Sequence, residues 1–143
     1  MQCQRGFTYL MLLWWVAIAG VMLAAAGRSW QLDARRARDA ELAWRGEQIR
    51  RALETYSQAP VADGVRRLPL ELEELLEDQR TGQTVRHLRR LWPDPVTGAQ
   101  WGVVRREPDG AITGVYSRSA LQPVRAPAGV NSYAAWRFEV TPP

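Results

Sequence analysis

The side chains able to carry chemistry are few. Glu71, Glu73, Glu74 and Glu77 cluster within LPLELEELLEDQR. Paired carboxylates can serve as general acid and base or hold a hard cation. Acids near a helix start are also what a helix dipole stabilises, and that plainer role suits this stretch better. His87 is the only histidine and Cys3 the only cysteine. With no further His or Cys nearby, a zinc site or a Ser-His-Asp relay lacks its parts, and His87 is expected to be structural or exposed. Cys3 cannot close an internal disulfide, and no apolar run precedes it to mark a lipid-attachment site. No phosphate-cradling loop is present. These residues predict no enzyme, no cofactor and no metal centre.

Charge narrows the partners. All 19 basic residues are arginine, against 15 acids, for a net charge of +4. The excess permits contact with phosphates or anionic lipid. In QLDARRARDAELAWRGEQIRRALE, however, the two signs alternate, as on a solvated helix face. No nucleic-acid module or aromatic-basic pattern appears, so nucleic acid is not expected as a partner.

The elements that position everything else begin at the amino terminus. Phe7 to Gly27 is a run of 21 residues without a charge. As a helix it is about 31 Å long, enough to cross a hydrocarbon core of about 30 Å. Trp14 and Trp15 fall near its middle rather than at an interface, so they are expected to pack against a neighbouring helix. Gly20 and the small run from Ala24 to Gly27 permit close approach. An ordinary secretory signal is the rival, with Ala24-Ala25-Ala26 as its cleavage site. Against it, the apolar run exceeds the usual 7–15 residues of such a signal, and the helical pattern does not stop at Ala26.

From Arg28 to Ser57 there is no proline and one glycine, Gly46. Apolar residues recur at Trp30, Ala34, Ala37, Trp44, Ala52 and Tyr56. Glu41–Arg45 and Glu47–Arg51 are acid-to-base pairs at i, i+4, the favourable order. One helix of about 50 residues and about 75 Å is therefore expected, stopped by Pro60 and Gly64.

The leader ending Arg5-Gly6, then Phe7-Thr8 and the unbroken apolar helix, resembles the type IV pilins and the pseudopilins of type II secretion. The resemblance is specific over about the first 25 residues. It implies that a prepilin peptidase cuts between Gly6 and Phe7, that Phe7 is N-methylated, and that the apolar helix stays in the inner membrane as a single pass. Glycine before the cut lets an enzyme approach the backbone. The family usually carries a glutamate four residues after the mature phenylalanine, pairing with a neighbouring subunit's amino terminus; here that position is Met11. A buried unpaired charge is costly, so the substitution implies a minor or atypical subunit. The helix surface with Met11, Trp14, Trp15, Trp30 and Trp44 is the implied assembly face. The implied partners are other pilin or pseudopilin subunits, the prepilin peptidase, the inner-membrane assembly platform and membrane lipid. The family places the carboxyl-terminal domain in the periplasm. Charge alone points the other way, since Arg28, Arg35, Arg36 and Arg38 follow the anchor and only Arg5 precedes it.

The remaining chain predicts a small α+β domain. Leu68 to Arg80 reads as a short second helix, with Pro69 in its first turn and Leu72, Leu75 and Leu76 on one face. Pro93, Asp94, Pro95 and Gly98 punctuate a loop. Trp101–Arg106 and Ala111–Ser117 form a hairpin across the turn Glu107-Pro108-Asp109-Gly110. Tyr133–Val140 is a last strand with Trp136 and Phe138 on one face. Some pseudopilins bind calcium in the late loop, but Arg118 to Ser132 holds no Asp or Glu, so no calcium is expected there. The expected organisation is a leader at 1–6, a transmembrane segment at 7–27, an amphipathic continuation at 28–59 and a globular domain at 60–143. That domain is too small to be robust alone, so packing on the helix around Trp44, Ala52, Leu53 and Tyr56 should be essential. The leading expectation is a filament subunit. The alternative is a periplasmic binding domain, released or held by an ordinary signal sequence.

Overall fold

A computed structural model describes residues 5–61 and 66–141, with side chains left out at 5, 6, 26, 28 and 29. Cys3, the start of the leader, Gly64, and the side chains of Arg5 and Arg28 lie outside the described residues. One helix, α1 (Arg5–Gln58), is followed by strands β1 (Gly102–Arg105), β2 (Ile112–Tyr116) and β3 (Arg137–Glu139). The strands form one antiparallel sheet in the order β1-β2-β3. The chain divides into two compact units, residues 1–36 and 37–143.

From Phe7 to Gly27 α1 is apolar all round rather than along one face. Phe7, Leu10, Trp14, Trp15, Met22 and Leu23 are all exposed. By length and composition this helix can cross a membrane.

In the second unit the remainder of α1 packs on the sheet. Leu42, Ile49, Ala52, Leu53 and Tyr56 are buried with Leu75, Trp101, Ile112, Val115 and Phe138. Asp39, Leu42, Gly46, Ile49, Leu53 and Tyr56 follow a 3-4-3-4-3 spacing and are all buried, the geometry of a narrow helical seam. The expected pairs are present on its flank: Arg45 Nε lies 2.8 Å from Glu41 and Arg51 Nε 3.0 Å from Glu47.

β2 is the central strand and is buried along four of its five residues. The hairpin turn is closed by the Arg106 amide donating to the Ala111 carbonyl at 2.8 Å. Gly110 has φ of 69°, which glycine adopts without a Cβ penalty.

Two elements differ from the sequence expectation. Leu68–Arg80 is not an α-helix; only a 3-10 turn, Leu72–Leu75, forms. The Leu75 carbonyl accepts from the amides of His87 and Leu88, and Asp78 pairs with Val85 in a bridge. Those tertiary bonds take the groups an α-helix needs to propagate. Leu72 and Leu75, three apart, still supply the buried face. The last strand begins late, because Tyr133–Ala135 is a 3-10 turn capped by Ser132. Trp136 and Phe138 do share a face, stacked at 5.8 Å.

Candidate functional site

Among the described residues the surface that stands out is the amino-terminal stripe. Phe7, Leu10, Met11, Trp14, Trp15 and Ile18 together line an apolar groove along α1. Their spacing of three and four places them on one helical face. Met11 sits in the middle of that stripe with 53% of its surface exposed, and among the described residues no titratable group lines the groove. The Gly6–Phe7 bond lies in the first turn of α1. Trp30 is exposed. Trp44 belongs to the second unit, where its half-exposed ring meets the Trp92 ring edge-on at 5.2 Å.

The second unit buries three carboxylates, each with dedicated donors, which is how interiors accommodate charge. Asp39 accepts the amides of Val124 and Arg125 at 2.9 and 2.8 Å and the Tyr133 hydroxyl. It thereby ties the late loop to α1. Asp94 accepts from the Val96 amide, the Thr97 hydroxyl and the Ser117 hydroxyl, the last at 2.6 Å. It fixes the Pro93–Gly98 loop against the end of β2.

Asp78 forms the third site. Arg80 binds it through Nε at 2.9 Å and Nη2 at 2.8 Å, a bidentate fork. The Arg80 bond, opposed by burial, holds the Asp78 carboxyl well below the usual carboxylate range. The same guanidinium lies 3.5 Å over the Tyr56 ring and donates to the Tyr56 carbonyl in the last turn of α1. That closes an otherwise open helix terminus. Burial, then the neighbouring Glu74 carboxylate, pushes the Tyr56 phenol up.

His87 completes this cluster. Its side chain is 6% exposed, with Nε2 3.1 Å from Asp78 Oδ2 and Nδ1 3.2 Å from Thr55 Oγ1. The order Thr-His-Asp superficially suits nucleophilic catalysis. Its electrostatics do not: the Asp78 charge is already shared with Arg80, and the Thr55 hydroxyl also reaches the Ala52 carbonyl at 3.0 Å. The arrangement knots the end of α1 to residues 78–87.

The acidic cluster is dispersed in the same manner. Glu74 accepts from the Tyr56 hydroxyl and from the amides of Leu70 and Glu71. Glu71 faces Arg105 and Glu77 faces Arg86. Among the described residues no group of three His, Cys, Asp or Glu side chains is placed to hold a metal ion.

No protein-family model matches this chain, and neither does any curated protein or solved structure. The layout is pilin-like: a long amino-terminal apolar helix and a small antiparallel sheet on one chain. Sequence reasoning missed Asp39, Asp78 and Asp94 as buried anchors. The one local signal was Asp94, whose Asp-Pro-Val-Thr-Gly context is the composition of a side-chain-stabilised turn.

Proposed function

We propose that this chain is a structural subunit, a minor or atypical pseudopilin, of a type II secretion pseudopilus or type IV pilus-like filament. In this reading prepilin peptidase cuts between Gly6 and Phe7 and Phe7 is N-methylated. The apolar part of α1 remains in the inner membrane, the carboxyl-terminal domain is periplasmic, and the stripe of Phe7, Met11, Trp14 and Trp15 packs against sister helices on an assembly platform. The observation that carries the reading is the pairing of Arg5-Gly6-Phe7 with a helix that is charge-free and largely exposed over Phe7–Gly27 and whose later turns hold a small sheet. A helix spends so much apolar surface only where lipid or another helix covers it.

The test is the amino terminus of the membrane-extracted protein. Because the chain has no lysine, the terminal amine is its only primary amine. Reductive dimethylation followed by intact-mass measurement therefore reads one site. Processing as proposed leaves a methylated Phe7, which takes up one further methyl group. A mature protein starting at Gly27 would instead support the alternative, a periplasmic binding domain released by an ordinary signal peptidase, which the Ala24-Ala25-Ala26 run allows.

A further inference from the structure

We propose that a groove beside β1 is a contact surface between two copies of this chain, related by a two-fold axis. The inference does not rest on the filament reading, since it concerns only the second unit. The groove measures about 510 Å³ and is lined by β1, the 3-10 turn and the 91–101 segment. Leu91, Trp92 and Val103 contribute half-buried apolar surface to it.

Four charged side chains line it. Arg105 is occupied, donating to the Leu70 and Gly110 carbonyls and facing Glu71 at 3.5 Å. Glu73 and Arg118 are exposed, and their side chains make no hydrogen bond or ion pair among the described residues. The groove therefore presents one free acid and one free base beside the apolar surface of Leu91, Trp92 and Val103. A two-fold axis midway between two such groups brings the acid of each copy to the base of the other, the self-complementarity an isologous interface requires. Leu121, three residues beyond Arg118 in the chain, is an apolar side chain 68% exposed. Its loop is already ordered: the Leu121 carbonyl accepts the Tyr133 amide, and Asp39 holds the two amides that follow Pro123. Pre-ordering removes an entropic cost of association.

Other occupants fit less well. β1 is an edge strand, but it is four residues long and bulged between Val104 and Arg105, features that discourage strand addition. Anionic lipid would be repelled by Glu73 as much as it is drawn to Arg118, and stable lipid attraction needs a larger basic cluster.

The experiment uses the full chain in detergent micelles on a Cys3→Ser background. Proteins carrying Glu73→Cys and Arg118→Cys are oxidised each alone and, in a third sample, as an equal mixture. A disulfide-linked dimer is expected in the mixture and far less in either alone. Both positions are exposed, so folding is retained. Glu73→Arg or Arg118→Glu should each weaken dimer formation about tenfold, and the double reversal should restore it. A mixture that cross-links no better than its components, or a double reversal no better than the singles, would overturn the proposal. So would binding to phosphatidylglycerol vesicles that requires Arg118 and ignores Glu73, which would assign the groove to lipid.

Discussion

Gly46 lies directly against the ring of Phe138: a Cβ at position 46 would stand 2.4 Å from Phe138 Cδ2 and 2.6 Å from Cγ. The ring cannot swing away, because Trp136 stacks on it and Trp101 meets it edge-on. The single glycine in the amphipathic stretch of α1 is therefore a packing device, the place where β3 approaches the helix.

Two effects oppose each other in Gly46→Ala. Helix propensity favours alanine by about 1 kcal/mol. Overpacking a filled core costs about 1–3 kcal/mol, and the upper part of that range, about 2–3 kcal/mol, applies here because the obstruction is a wedged ring rather than the end of a flexible chain. Net destabilisation of about 1–2 kcal/mol is expected from chemical unfolding. A variant as stable as the parent would mean the ring can move.

This relationship also explains what the sequence concealed. The charge-free run, the i, i+4 pairs and the hairpin turn were legible because each depends on neighbours within a few residues. The true packing seam runs Asp39, Leu42, Gly46, Ile49, Leu53, Tyr56. With an aspartate and a glycine at two of its six positions, it does not look apolar, so the sequence pattern finds its later part at Ala52, Leu53 and Tyr56 but picks Trp30, Ala34, Ala37 and Trp44 for the earlier part. Trp44 is only half-buried, and Leu42 and Ile49 carry the core. Asp39 finds its partners 85, 86 and 94 residues away, and no local pattern encodes such a contact. The second helix failed for the same reason: its carbonyls are taken by a segment a dozen residues further on.

Asp39 should behave as the anchor of the late loop. Asp39→Ala leaves two amides and a hydroxyl without their acceptor, a loss of roughly 2–4 kcal/mol. Hydrogen exchange at the Val124 and Arg125 amides should rise well before the sheet amides of β2 respond. Equal protection of those two amides in variant and parent would refute the anchoring role.

Asp78 couples stability to pH. Its carboxyl is held below its unfolded value by Arg80. A depressed folded pKa contributes stability that is fully present above about pH 4, the unfolded value, and is lost as pH falls toward the folded one. The unfolding free energy of the parent should therefore decline below about pH 4. Asp78→Asn should be less stable by about 3 kcal/mol at neutral pH, since it strands the Arg80 charge against Tyr56, and should lose part of that acid dependence. A parallel pair of pH curves would place the acid sensitivity elsewhere.

The most telling substitution is at Met11, where stripe geometry and assembly meet. Met11→Glu introduces a carboxylate on the face shared by Phe7, Trp14 and Ile18. In lipid alone the change costs up to about 2.5 kcal/mol, so an isolated anchor gains nothing from it. Beside the amine of a neighbouring processed helix, the same carboxylate acquires a partner, and the cost becomes an attraction that fixes register. Under the proposed function the variant should enter sheared filaments several-fold more readily than the parent. The lysine-free chain sharpens the measurement, because a carbodiimide can join the new carboxylate only to a terminal amine when both partners are copies of this protein. Unchanged incorporation and no such cross-link would show that the stripe does not face the amino terminus of another subunit.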